Sequence, residues 1–320
     1  MSPIQPGVST PEAPPPTPSL AIRALASPVL RNKTALVAVG VLGFFVFLAV
    51  AGPLLIDGDP KAQVGAVFEP PSREFPLGTD GGGASMVSML IAGARVSLLI
   101  GFCAAAISAL IGGSIGILSG FFGGRTDTAL MRVTDYFLVI PDVPLMIVIA
   151  ALFGRSTWNI IIIIGIIYWT FTARLLRAQT KSVRERVYVQ RARALGAGNS
   201  RLVVRHVLPQ VTPLLIANTV LLVAYAIFAE TFITFLGLGD PSSISWGRLI
   251  ENAFNDDAII NNAWWAIIPP GLCVMFVVLA CTIIGQTLEE ALNPRLGSGH
   301  LSVRRFRVLP RSGELEQQQS

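Results

Sequence analysis

The sequence predicts an all-α integral membrane protein of six transmembrane helices, and three observations carry that prediction. Of 320 residues, 52% are hydrophobic and only 13% charged, with a mean hydropathy of +0.63, whereas a soluble domain averages roughly a quarter charged residues. Six apolar runs recur along the chain, each near the about 20 residues an α-helix needs to cross a bilayer. The basic residues are sorted between alternate connections, as orientation in a membrane requires. The length leaves no room for a large soluble catalytic domain as well.

Residues 1–30 predict a disordered, Pro-rich cytoplasmic tail: Met1–Leu20 holds seven prolines and one acid, with little that could build a core. Residues 31–57 predict the first transmembrane helix, around the apolar run Ala35–Ile56 that follows Arg23, Arg31 and Lys33. Ala49-Val50-Ala51 imitates a signal-peptide cleavage site, but a 22-residue run that begins at position 35 is too long and too late for one. Residues 58–95 predict an extracytoplasmic loop, 96–294 a core of five helices, and 295–320 a cytoplasmic tail. The core runs are Val96–Phe121, Tyr136–Phe153, Trp158–Leu176, Leu214–Leu238 and Trp264–Leu288. In the fourth span, Ile160–Ile164 is β-branched enough to suit a buried strand. Trp158 and Trp169 near its ends read instead as interface anchors.

Orientation follows from charge. With the N-terminus in the cytoplasm, nineteen basic residues fall on the inner side, against Lys61, Arg73, Arg95, Arg155 and Arg248 outside. This skew predicts both termini in the cytoplasm. The net charge of +5 is then a topological signal, and no nucleic-acid-binding motif accompanies it.

Enzyme chemistry finds little to work with. Cys103, Cys273 and Cys281 lie far apart in apolar stretches, which excludes a disulfide framework or a CxxC site. His206 and His300 have no acid beside them at metal-ligand spacing. Gly81-Gly82-Gly83 lacks the GK[ST] that a phosphate loop needs. The expectation is a chain without catalytic residues, cofactor or metal.

The unusual segment is the long connection Arg177–Thr212, too polar to enter lipid. It reads as a helix from Val183 to Leu195, a Gly196-Ala197-Gly198 turn, and a short helix from Ser200 to Val207 with Pro209 as terminator. Asn199 or Ser200 can cap the second helix. Such a helix–turn–helix on the cytoplasmic face suits a partner protein, although composition alone favours the plainer reading, in which Arg184, Arg186, Arg191 and Arg193 solvate the loop and touch anionic headgroups.

The pattern of residues decides between these readings. The frame Gln190-Arg191-Ala192, three residues (Arg193, Ala194, Leu195), Gly196 and Ala197, then His206-Val207-Leu208-Pro209, resembles the EAA motif of ATP-binding-cassette importer permeases. In that motif EAA, three residues, Gly, nine residues and hydrophobic-x-Leu-Pro form the docking site for the ATPase. Gln190 replaces the family's acid and Arg191 its first alanine. The resemblance runs from about Leu30 to Pro294 and narrows to the oligopeptide/dipeptide permease branch. It rests on PLGTD at Pro76–Asp80, GARVSLLIG at Gly93–Gly101, GFFGGRTDTALMRVTD at Gly120–Asp135, ETFITFLGLGDP at Glu230–Pro241 and SWGRLI at Ser245–Ile250. After PLGTD the Gly-Arg-Asp-type continuation is replaced by Gly81-Gly82-Gly83-Ala84-Ser85.

The resemblance implies a type I importer transmembrane domain that moves di- or oligopeptides by alternating access. Its implied partners are a second homologous permease chain in a heterodimer, two cytoplasmic ATPase subunits, and an extracytoplasmic peptide-binding protein or lipoprotein. They would meet in the lipid of a bacterial inner membrane. Nickel or another small solute is an alternative cargo for the same architecture, and an ion-driven secondary transporter is the rival mechanism. That rival predicts several ionisable groups deep in the spans and no docking loop.

Two acids at membrane depth are candidates for the pathway lining, Asp142 after Pro141 and Glu230 in the fifth span. For each, a hydrogen bond between helices is an equal alternative. Pro141 and Pro144 are expected to loosen their helix. In the outer connections nine acids face five bases, which suits either a docked binding protein or the residue of the inside-positive bias. By analogy with the branch, Asn255–Asn262 is expected to form a scoop-like loop near the mouth of the pathway.

Overall fold

The computed structural model describes residues 29–56 and 58–292. The Pro-rich segment up to position 28, Asp57, and the tail from 293 with His300 lie outside the described residues. The regular structure of the described residues is helical, with one isolated bridge between Thr79 and Ser85 in the non-helical connection 58–85. We number the helices α1 (Lys33–Leu55), α2 (Met86–Phe122), α3 (Gly124–Val139), α4 (Asp142–Phe153), α5 (Thr157–Arg184), α6 (Val187–Ala194), α7 (Asn199–Leu238), α8 (Trp246–Asn255) and α9 (Ile268–Leu292). Of these, α1, α2, α5, α7 and α9 are long and apolar enough to cross a membrane, and the bent pair α3–α4 makes six if it counts as one span.

Each helix begins and ends for a local reason. Asn32 caps α1, its Oδ1 accepting from the Thr34 amide at 3.0 Å. Gly123 ends α2 and starts α3 at φ +67, a left-handed turn that costs a glycine little. The third predicted span, Tyr136–Phe153, is not one helix: the chain breaks at Ile140–Pro141 and α3 and α4 meet at 86°. Pro141 has no amide hydrogen, and it pushes Ile140 to extended backbone (φ −77, ψ 125).

Two further boundaries differ from the sequence reading. The helix that carries the second apolar run begins at Met86, ahead of Val96. Pro209 does not terminate a helix: α7 continues past it from Asn199 and keeps helical backbone until Gly237 turns to φ +80 at its end. A π-turn at Val203–Val207, in which the Leu208 amide bonds to the Val203 carbonyl, sets Pro209 in the first turn of the helix that follows. There its missing donor is harmless.

The core is built on α2 against α5. Gly112, Gly116 and Gly120 form a stripe at four-residue spacing along α2, and a Cβ at each would lie 2.3 Å from the Trp169 carbonyl, 2.5 Å from the Ala173 carbonyl and 2.7 Å from Thr180 Cβ. Only glycine lets the two backbones approach so closely. Met146, Ala150, Ile160, Ile164, Ala226 and Ile233 fill a second cluster among α4, α5 and α7. At 37 and 40 residues, α2 and α7 span about 55–60 Å at ~1.5 Å per residue. They therefore stand well beyond an about 30 Å hydrocarbon core, and their ends carry the polar structures described next.

Candidate docking and pathway sites

At one end of the bundle a short helix, α6, lies between the long helices α5 and α7. Its apolar side is anchored: Val189 is fully buried in a cluster with Ile117, Phe121, Leu176, Val183, Leu202, Val207 and Val211. That cluster joins α2, α5, α6 and α7 into one body at this end. The other side of α6 is open, with Gln190, Arg191, Arg193 and Ala194 exposed and Leu195 89% exposed at its tip. Leu195 thus stands bare beside Arg191 and Arg193.

The turn after α6 follows from Gly196. At φ +86 it donates its amide to the Arg193 carbonyl at 3.0 Å, and Ala197 donates to Ala192 at 3.1 Å. This is the paired bonding of a Schellman cap. A Cβ at Gly196 would meet no atom within 4 Å, so backbone conformation alone demands glycine here, in front of open space. The Gln190 amide donates to the Arg184 carbonyl and to Glu185, both at 3.3 Å. A carboxylate at 190 would bring Glu185 a repulsion instead of a donor. Arg193 stacks its guanidinium 5.5 Å from the centre of the Phe121 ring.

The predicted docking residues thus fall on one continuous connection, but its outline differs from a loop over 177–212. Arg177–Arg184 belongs to α5 and Asn199 onward to α7, which leaves only residues 185–198 between the long helices. His206 sits half-buried with its ring 6.1 Å from that of Tyr188, Leu208 is half-exposed, and Pro209 is in the first turn beyond the π-turn.

The two candidate acids have different surroundings. Asp142 opens α4 at the break and is exposed; its Oδ1 accepts from the neighbouring Val143 amide, at 2.9 Å. Glu230 is 1% exposed and enclosed by this chain's own residues. Ser245 donates to its Oε1 at 2.6 Å and Thr234 at 3.1 Å. Ser245 also caps α8 by accepting from the Arg248 amide at 3.2 Å. The neighbouring Trp246, fully buried, donates its indole N–H to the Leu90 carbonyl and its amide to Ser97, both at 3.0 Å. Glu230 therefore fastens α8 across the ends of α2 and α7.

Beside α8, residues 58–85 fold over the same end. Trp265 donates to the Thr79 carbonyl at 3.0 Å, and Asp80 Oδ1 accepts from the Gly82 and Ala84 amides at 2.9 and 2.8 Å. Lys61, Asp80, Arg248 and Asp256 line a mixed-charge cleft of about 340 Å³. Burial raises the Asp256 carboxyl, and the charges of Asp80 and Asp257 push it the same way. Asp240 goes the other way. Burial works against its charged form, but bonds from Ser242 and Thr157 outweigh that and hold it down to about 2. Through it, the exit of α7 is tied to the first residue of α5, Thr157.

Three features of the site were not singled out in the sequence: the burial of Val189, the stack of Arg193 on Phe121, and the pairing of Gln190 with Glu185. The last had a signal, since an amide stands where the EAA frame has an acid and an acid stands five positions before it.

Comparison with known proteins agrees with the helical membrane fold. Residues 112–298 match the family described as "Binding-protein-dependent transport system inner membrane component". A Brucella abortus protein named as a peptide transport system permease is 36% identical over 270 residues, covering 84% of this chain and 90% of that protein. A peptide permease protein of Brucella suis is 32% identical, covering 83% and 88%. A dipeptide transport system permease protein of Alkalihalophilus pseudofirmus is 31% identical, covering 84% and 88%. With a family match over more than half its length and relatives aligned along most of it, this multi-pass membrane chain belongs to the inner-membrane components of binding-protein-dependent transport systems.

Proposed function

We propose that the chain is a permease subunit of an ATP-driven importer that moves di- or oligopeptides into the cell by alternating access. The observation that carries the coupling is α6: a short helix anchored by Val189 that presents Leu195, Arg191 and the open turn at Gly196 to the aqueous phase. A cytoplasmic ATPase would receive this face in a groove, with Leu195 as the apolar contact and the arginines around it. Leu208 and Pro209 complete the motif by setting where α7 re-enters the membrane. The peptide cargo is inferred from the relatives' names, and the ATPases, a second permease and a binding protein from the family.

In this reading the α6 end and both termini face the cytoplasm and the α8 end faces outward. Asp142, exposed at the break between α3 and α4, is the candidate for the pathway lining. Glu230 would act on the pathway indirectly, through the helix it fastens. ATP-driven closure of the ATPases would rock packed helices between two arrangements.

The test is Gly196→Asp. The added side chain occupies the open space in front of the turn and strains the left-handed backbone by about 1 kcal/mol, too little to unfold the protein. The variant should insert at wild-type levels, lose its ATPases on purification and cease transport. A variant that keeps its ATPases and transports normally would remove α6 as the docking element.

A further inference from the structure

Close to the α6 end, a buried carboxylate ties the first turn of α3 to α5. Asp127 is 9% exposed. Arg177 grips it with two bonds, Nε to Oδ1 at 2.5 Å and Nη2 to Oδ2 at 2.8 Å. Lys181 adds a third at 2.6 Å, and Ser119 of α2 donates to Oδ1. Arg177 and Lys181 stand four apart on α5 and so share one face. One turn further, Arg184 donates to the Phe121 carbonyl at 3.1 Å, beneath the ring on which Arg193 of α6 stacks. The other polar tie between α3 and α5, Arg174 to Asp135, has both side chains more than half exposed and is worth little.

The path of contacts is therefore continuous. It runs from α6 through Phe121 to the end of α2, across to Arg184 on α5, and through Arg177 and Lys181 to Asp127 on α3. Beyond α3 come the 86° break and α4, which begins at Asp142. The glycine stripe makes α2 and α5 one unit, whereas α3 has no such stripe and meets α5 at its far end through the Phe137–Trp169 ring contact and at its first turn through the clamp.

We propose that Asp127 is a positioning residue for energy coupling: its clamp on Arg177 and Lys181 makes α3, and with it the broken α3–α4 pair, follow the displacement of α5 and α6. The proposal rests on the reading of α6 as the ATPase-docking helix. A bidentate, doubly charged clamp suits the role because it resists shear in a way that a single hydroxyl bond does not.

The test uses the assembled transporter in proteoliposomes. The permease carries Val139→Cys, at the exposed end of α3, in a background with Cys103, Cys273 and Cys281 replaced by alanine. Maleimide labelling at position 139 is compared without nucleotide and with the ATPases trapped by ATP and vanadate. With Asp127 present the two rates should differ by about threefold or more, as a two-state element biased by nucleotide requires. Asp127→Asn should abolish the difference while the ATPases still co-purify and hydrolyse ATP within about twofold of the parent. Asp127→Glu should restore it in part, and Lys181→Gln should reduce it. An Asp127→Asn chain that keeps the full nucleotide-dependent difference overturns the proposal. So does one that loses its ATPases or fails to insert, since Asp127 would then serve assembly alone. If the Asp127 parent itself retains no ATPase, the failure belongs to the docking reading and not to the clamp.

Discussion

The two ends of the bundle each bury a carboxylate, and they satisfy it by opposite means. At the α6 end Asp127 is met by two cations and a hydroxyl. At the α8 end Glu230 is met by hydroxyls alone, from Ser245 and Thr234. Among the described residues no Lys, Arg or His lies within ion-pair distance of Glu230. The first arrangement works only with a charged acid, because a neutral group would leave Arg177 and Lys181 repelling each other. The second tolerates either form, since each hydroxyl can donate or accept. The lesson is that burial alone does not define a site. The partners decide whether a carboxylate is a rigid clamp or an adjustable brace.

This contrast can be broken by substitution. The largest expected effect is at the clamp: Asp127→Ala should cost about 2–3 kcal/mol, below the ~3–5 of a fully buried pair because Arg177 and Lys181 reach water. A lowered midpoint in thermal unfolding of the detergent-purified chain would register it. Next comes Asp240→Ala, which removes four bonds, two that join the exit of α7 to Thr157 of α5 and two from Ser242, and should cost about 1–2 kcal/mol. The pH dependence has a definite sign. The Asp240 carboxyl is lowered from 3.8 to about 2 in the folded chain, so its stabilisation is complete above its ordinary range and is lost as pH falls from 3.8 through about 2. The stability difference between the parent and Asp240→Ala should therefore be flat from pH 7 to 5 and shrink only below that window. A difference that already changes between pH 7 and 5 would assign the effect to another group.

The smallest effect is expected at the brace. Glu230→Gln keeps an oxygen to accept from Ser245 and should cost less than about 1 kcal/mol. If it destabilises the chain as much as Asp127→Ala does, Glu230 is held as a charge and the contrast between the two ends fails.

Much of this was legible from the residues. Hydropathy located the spans because each needs a long apolar run, and Gly196 announced its left-handed turn by being a glycine followed by Ala-Gly. Pro141 marked the weak point of the third apolar run, but not the 86° between its halves, which depends on how α4 packs on α5 and α7. Pro209 misled because a π-turn, invisible to pattern reading, absorbs its missing donor. Arg177 and Lys181 were visible as bases and were read only for orientation. Their partner Asp127 stands fifty or more positions earlier, and nothing local links them. Gly112, Gly116 and Gly120 carried a signal in their four-residue spacing, yet a stripe of glycine does not say which helix it faces.

The central claim is that this chain works as one part of an ATP-driven assembly coupled through α6. The most direct measurement is a tagged purification of the chain from gently solubilised native membranes, with the co-purifying proteins identified by mass spectrometry. The account predicts recovery of a second, homologous permease together with Walker-motif ATPases. A chain that emerges alone or as a homo-oligomer, under conditions in which a known importer stays assembled, would contradict it and favour an ion-driven transporter.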